Sequence, residues 1–270
     1  MTTTRAGGDG YGVRRLRWYS SGAASAVAAS LDIRLHSLAA GELVTCDTGS
    51  EDEDNHRFSR DVERWLDTSI TYLASDEYES TWDVWEKTGW ISGPNGARCT
   101  GELKFAPRLA YQRPDDVHVF GYTADAHDVE RAKNLRETYP ELTIATPLID
   151  RGITKAGCLA IMESVGIAVP RSYAWGFQNA NCLESGCAKA QAPGYWALHR
   201  KMKPEGFART AAICRAKGVR LAIIGQEIVD GKRKNVRAFI DDIPLDQPTT
   251  NAIAPVCDFL CHMVAEDLAA

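Results

Sequence analysis

The sequence predicts an α/β fold: a doubly wound, mainly parallel five-stranded sheet with helices on both faces, followed by a helical C-terminal region. Two observations predict it. Short apolar runs alternate with helical stretches as far as residue 150, which is the rhythm of βαβ units. The first run also passes through Tyr19-Ser20-Ser21-Gly22-Ala23-Ala24-Ser25 into an Ala-rich stretch, a strand, a small-residue turn and a helix in succession. Residues 1–12 form a polar, Gly-rich tail, 13–150 the sheet domain and 151–270 the helical region.

The elements follow in order. A first strand runs from Val13 to Tyr19, with Leu16 and Trp18 on one face. The Ala-rich helix spans Ala23 to Ala40 and stops at Gly41. Glu42 to Cys46 is the second strand, ending at Asp47-Thr48-Gly49, and a helix follows from Asn55 to Trp65. Ser69 to Leu73 is the third strand and Trp82 to Lys87 a helix. The turn Gly93-Pro94-Asn95-Gly96 delivers Arg98-Cys99-Thr100 to a helical run carrying Lys104 and Arg108. Asp116 to Phe120 is the fourth strand, closing on Gly121-Tyr122-Thr123 before a charged helix around Arg131. Thr143 to Thr146 is the fifth. Beyond residue 150, helices are expected at Thr154–Val165, from Gly194-Tyr195-Trp196 onward, and at Pro204–Lys217.

A strand that enters a Ser/Gly turn opening a helix aims several free amides at one point, and the helix dipole adds partial positive charge there. Ser20, Ser21, Gly22, Ala23 and Ser25 are therefore a candidate phosphate site; the plainer alternative is a βα turn with serine as N-cap. In such sheets ligands lie off the carboxyl ends of the strands, near the point where strand order reverses. Asp47, Thr48 and Gly121 fall at strand ends and would share that cleft, with Asp47 accepting from ribose or base, or simply capping a loop.

The bulk properties exclude several classes. A net charge of −5 argues against a broadly basic nucleic-acid surface. No apolar run is long enough to span a membrane, and the N-terminus lacks an apolar signal core, so a cytoplasmic protein is expected. Eight cysteines in a reducing compartment point to metal or redox chemistry rather than disulfides.

In order along the chain, five segments together resemble the phosphoadenosine phosphosulfate reductase family, within the wider adenine-nucleotide α-hydrolase-like (ATP pyrophosphatase) group. Ser20-Ser21-Gly22-Ala23-Ala24-Ser25 resembles its Ser-Gly-Gly-x-Asp-Ser phosphate loop, and Cys46-Asp47-Thr48-Gly49 its Asp-Thr-Gly. Cys99 with Lys104 and Pro107 is similar to a Cys-x4-Lys-x2-Pro segment, and Pro147-Leu148-Ile149-Asp150 to a Pro-Leu-x-Asp. Tyr173-x2-Gly176-Phe177 followed by Cys182 and Cys187 is similar to Tyr-x2-Gly-Tyr…Cys-x2-Cys. The resemblance covers residues 16 to 215. It implies an enzyme, an oxidoreductase or sulfurtransferase. Its PP-loop would hold ATP, with magnesium as companion ion, or a sulfonucleotide, and the chemistry would be sulfonucleotide reduction or sulfur transfer to a nucleotide, tRNA or DNA. Ala24 stands where ATP pyrophosphatases carry Asp, Ser21 replaces a Gly, and the reductases' C-terminal Glu-Cys-Gly-Leu-His is absent.

The resemblance further implies a [4Fe–4S] cluster on Cys99, Cys182 and Cys187, with Lys104 and Cys99 as catalytic groups. A fourth ligand would be Cys257 or Cys261, whose i, i+4 spacing puts both on one helical face, or the fourth iron is left open. Alternatively Cys182, Cys187, Cys257 and Cys261 form a zinc site, leaving Cys99 as a thiol ionised by Arg98 and Lys104. Cys46, Cys158 and Cys214 sit in apolar patterns and read as core, with Cys46 adjoining the cleft. Lys104, Arg108 and Arg131 suit the anionic end of a nucleotide. Tyr195, Trp196, His199, Arg200, Lys201 and Lys203 mix aromatics with bases, as a single-strand nucleic-acid grip or an amphipathic helix would. A lapsed nucleotide- or nucleic-acid-binding module with structural zinc is the alternative to an enzyme; a homo-oligomer is compatible with either.

Overall fold

The computed structural model describes residues 13–93, 96–180 and 182–250. Five strands, β1 (Arg15–Trp18), β2 (Gly41–Cys46), β3 (Ile70–Leu73), β4 (Val117–Val119) and β5 (Thr143–Ala145), pair in parallel in the order β3-β2-β1-β4-β5. Strand order therefore reverses between β1 and β4, the place where open α/β sheets bind ligands.

Helices cover both faces, as expected. On one face α1 (Ala23–His36), α2 (Glu53–Leu66) and α6 (Lys155–Ser164) bury Val27, Phe58, Val62 and Met162 against Leu43 and Ile70. On the other, α5 (Ala126–Thr138) brings Ala132 and Leu135 onto Leu16, Val44 and Phe120. A third core joins α3 (Thr81–Thr88), the first part of α4 (98–111) and the C-terminal helices α7 (Arg171–Trp175), α8 (Pro193–Met202) and α9 (Pro204–Lys217) around Trp85 and Trp196. Within α4, Gly101–Phe105 is a π-helical turn, a local rewinding often found at functional sites.

Two boundaries differ from expectation. The Ala-rich helix ends at His36, because Ser37 takes a positive φ (67°) with an extended ψ (161°) that breaks the helical path. Gly41 instead opens β2, where a Cβ would lie 1.9 Å from the Arg15 carbonyl oxygen. The region after 151 is helical only to Lys217. It continues as an antiparallel hairpin, β6 (Ala222–Val229) and β7 (Lys232–Ala238), joined by Asp230-Gly231 at φ 53° and 74°. Asp-Gly with both φ positive is the chemistry of a type I′ turn, which overrides the expected helical pattern.

A buried ion cluster ties β1 to α1. Arg17 Nε donates to Asp32 Oδ2 (2.8 Å) and Arg15 Nη2 to Asp32 Oδ1 (2.6 Å), with Arg17 and Asp32 only 1% and 2% exposed. The strand and helix that flank the Ser/Gly turn are thereby held at a fixed spacing.

Two histidines are wholly buried. Trp18 Nε1 donates to Nδ1 of His118 (3.1 Å), and a ring nitrogen (Nε2) of His199 bonds the Leu183 carbonyl (2.8 Å). Burial pushes both pKa values down to about 4. The unfolded chain binds these protons from pH 6.5 downward and the folded one does not, so each histidine lowers stability as pH falls through that window. The loss reaches about 3 kcal/mol per histidine by pH 4. Urea unfolding at pH 7, 5.5 and 4.5 should show the decline, and a flat profile would contradict the assignment.

Candidate functional site

The Ser/Gly turn sits between the carboxyl end of β1 and α1, beside the reversal point. Ser21 is left-handed (φ 54°). Gly22 occupies the N-cap position in extended backbone and offers no capping side chain, and the first turn of α1 carries no acid. No acid faces the positive end of this 14-residue helix from its own first turn, and its first amide, that of Ala23, donates to the Tyr173 hydroxyl. Ser25 braces the turn: its Oγ accepts from the Ser20 amide (3.1 Å) and donates to the Gly22 carbonyl (2.9 Å). Ala23 buries its methyl in the core and leaves the cleft lining, so its amide alone belongs to the turn. Gly121 follows β4, and a Cβ there would come within 2.8 Å of the Ser25 amide nitrogen and Cα. Only glycine lets that strand end lie against the turn.

Around this turn opens a cleft of about 220 Å³ lined by Ser20, Ser21, Gly22, Ala24, Ser25, Asp47 and Gly121 together with Lys104, Arg108, Arg131 and Lys155. Arg108 is only 2% exposed, with its guanidinium 4.5 Å from the Phe105 ring centre. Burial lowers its pKa to about 10, so it stays cationic at neutral pH. Arg131 donates to Asp128 (2.6 Å) and lies over the Tyr122 ring. Lys155 donates to the Gln178 carbonyl, sits 5.5 Å from the Tyr173 ring centre, and has its pKa lowered by burial. The Tyr173 hydroxyl lies 3.3 Å from where a Gly22 Cβ would be, beside the Ala23 amide. Trp18, Tyr72, Phe105, Phe120 and Tyr122 supply aromatic wall. The cleft thus combines a helix N-terminus and four basic side chains with aromatic wall, which suits an anion attached to a ring.

Asp47 lines this cleft and also accepts from the Gly49 amide (2.9 Å), so it braces its own turn while facing the cleft. Thr48 departs from expectation. It is buried, donates to Glu51 (2.7 Å) and lies 3.5 Å from Cys182 Sγ. It lines a second pocket and not the cleft.

That second pocket, about 30 Å³, is lined by Cys99, Cys182 and Cys187 with Lys104 and Lys189, and shares Thr100, Lys104 and Asn179 with the cleft. Cys182 is held in a left-handed conformation (φ 52°), and its turn is pinned by Glu184 N donating to the Ser50 carbonyl (2.9 Å) and Cys187 N to Tyr195 Oη (2.9 Å). Among the described residues no three His, Cys, Asp or Glu gather closely enough for a single ion. A cluster makes a different demand, since each of its irons takes its own thiolate. Cys99, Cys182 and Cys187 line one pocket, three of the four thiolates such a cluster takes. Cys257 and Cys261 lie outside the described residues. Cys158 and Cys214 are core, as expected, with burial pushing their thiols up to about 11 and 12. Cys46 lines the cleft, its thiol 3.5 Å from the Lys104 carbonyl.

No family model and no curated protein matches the chain. Solved structures do. The phosphoadenylyl-sulfate (PAPS) reductase from Candida auris, solved as a phosphate complex, is similar at 14% identity and TM-score 0.46, over 62% of this chain and 80% of that one. The U34-tRNA thiolase NcsA from Methanococcus maripaludis, solved with its [4Fe–4S] cluster, is similar at 13% identity and TM-score 0.43, over 76% of this chain and 73% of that one. At such identity the likeness is one of chain path.

The structure adds Lys155 to the basic lining of the cleft, a residue with no sequence signal beyond its place at a helix start. Tyr173 joins it there. The Tyr195–Lys203 stretch is no nucleic-acid grip: Tyr195, Trp196 and His199 are buried, Arg200 holds the Ile243 and Pro244 carbonyls, and Lys203 pairs with Asp52 (2.6 Å) and Glu184. It is an amphipathic helix locking the C-terminal region onto α2. No described helix is long and apolar enough to cross a membrane.

Proposed function

We propose that the chain binds an adenine nucleotide, ATP or a sulfonucleotide, in the cleft and carries out sulfur chemistry with the adjoining thiols. The observation that carries this reading is the shared wall: a phosphate-type helix terminus and a three-cysteine pocket lie on either side of Thr100, Lys104 and Asn179. The nucleotide's phosphates would sit on the amides following Gly22, with Arg131 and Lys155 beside them and the base among Phe120 and Tyr122. Arg108 and Lys104 would take the second anionic group, sulfate or phosphate. Asp47 would accept from the ribose. Cys99, Cys182 and Cys187 would hold the cluster, which when bound supplies electrons or a Lewis-acidic iron for sulfur. Lys104, on the wall common to both pockets, would stabilise negative charge passing between them. The reaction is either reduction of the sulfonucleotide or sulfur transfer to a nucleotide or nucleic acid.

Anaerobic reconstitution with iron and sulfide tests the thiol half. Wild type should take up about four irons per chain with a broad visible band. Serine at Cys99, Cys182 or Cys187 should each lose most of the iron, while Cys214→Ala keeps it. Full iron in all three serine variants would overturn the assignment.

A further inference from the structure

The β6–β7 hairpin is anchored in the core at one end and exposed along the rest of its length. Ala222 and Ala238 are buried at its base, where Ile223 N donates to the Gln191 carbonyl (2.8 Å). From there two strands of eight and seven residues run out for about 23 Å. No third strand pairs with them among the described residues. Both faces meet solvent, and Ile224 and Ile228 are 55% and 74% exposed. An isolated two-stranded ribbon is marginal in water, so this one is suited to a surface that covers it.

Its charge says which surface. From Ala222 to Ala238 the ribbon carries four basic and two acidic side chains, net +2 in a chain of net −5. The side chains of Lys232, Arg233 and Lys234 are exposed and form no hydrogen bond or ion pair with the described residues, with Glu227 opposite Lys234 in the ladder. Cross-strand register puts Arg233 beside Ile228, and Arg237 beside Ile223, on one face; Lys232 and Lys234 lie on the other. Self-pairing is a poor alternative, because lysines along an edge strand discourage strand addition. We propose that this ribbon binds the phosphate backbone of a nucleic acid, lying in or across a groove as two-stranded ribbons can. Leu221 and Ala222 at its base pack in the same core as Trp85, against which Cys99 and Cys187 also pack, so bound nucleic acid and the thiol pocket would share one rigid unit. As the acceptor for sulfur transfer this partner rests on the function proposed above; as a binding surface it stands on the hairpin alone.

The test is fluorescence anisotropy of the full chain with labelled 20-base-pair DNA, an RNA hairpin and single-stranded oligonucleotides at 50 to 200 mM salt. Wild type should bind at least one of them, with a log–log salt slope of about −3. Lys232→Ala/Arg233→Ala/Lys234→Ala should weaken that binding at least tenfold and flatten the slope, whereas Lys133→Ala should not. ATP affinity should be unchanged in the triple variant, which separates failure of the hairpin from failure of the cleft. No binding to any probe at 50 mM salt, equal binding by the triple variant, or a ribbon-dependent dimer in sedimentation would each overturn the proposal.

Discussion

Gly22→Asp should abolish nucleotide binding and leave the fold as stable as wild type or slightly more so. Position 22 is the N-cap of α1, extended and without a capping side chain. Aspartate is a preferred N-cap whose carboxylate accepts from the amides of the first turn, a gain over glycine of a few tenths of a kcal/mol. Its Cβ would meet the Tyr173 hydroxyl at 3.3 Å, a contact that a small ring movement relieves. The same carboxylate would occupy the first-turn amides and repel a phosphate at close range. A loss of roughly 100-fold or more in affinity is expected, read by calorimetric titration with ATP. A stability gain with unchanged affinity would show that the turn is only a capped helix start.

Asp32→Ala should destabilise the chain by about 3–5 kcal/mol, because it strands the buried Arg17 guanidinium and removes the ion that also holds Arg15. Arg17 keeps only carbonyl partners, those of Ser37, Leu38 and Gly41, which leave its charge unbalanced. The double variant Arg17→Met/Asp32→Leu removes both charges and should recover most of the loss. Urea unfolding of the three proteins checks this. Because the cluster spans the two elements that meet at residues 20–25, the single variant should also weaken nucleotide affinity while still folded.

The sheet was legible because its signals are local. Small residues at 20–25 between an apolar run and an alanine-rich helix leave few alternatives to a strand, a tight turn and a helix. All five strands are short; β1, β2 and β4 are mostly buried, while β3 and β5 at the sheet edges are partly exposed. The order β3-β2-β1-β4-β5 depends on crossovers, which no local pattern encodes. The hairpin shows the opposite failure: Asp230-Gly231 between Val229 and Lys232 is a strong turn signal, but charged, exposed strands lack the apolar alternation that marks a sheet. In the site, the convergence of Cys99 with Cys182 and Cys187 was anticipated by motif order. Thr48 was misassigned because one residue along a chain leaving a strand reverses the side-chain direction, carrying it from the cleft to the thiol pocket. Lys155 went unread since a lysine at a helix start is ordinary until the fold brings Tyr173 and Gly22 to it. The basic helix around His199 read either as an amphipathic helix or as a nucleic-acid grip, and packing decides for the first by turning its aromatics inward.

The central claim is that one cleft takes an adenine nucleotide by its phosphates. Equilibrium titration of the wild-type chain with ATP, AMP and adenosine measures this most directly. ATP should bind in the micromolar range, about −8 kcal/mol, with AMP weaker and adenosine weaker by at least another order of magnitude. Equal affinity for all three, or none for ATP at millimolar concentration, would contradict the account.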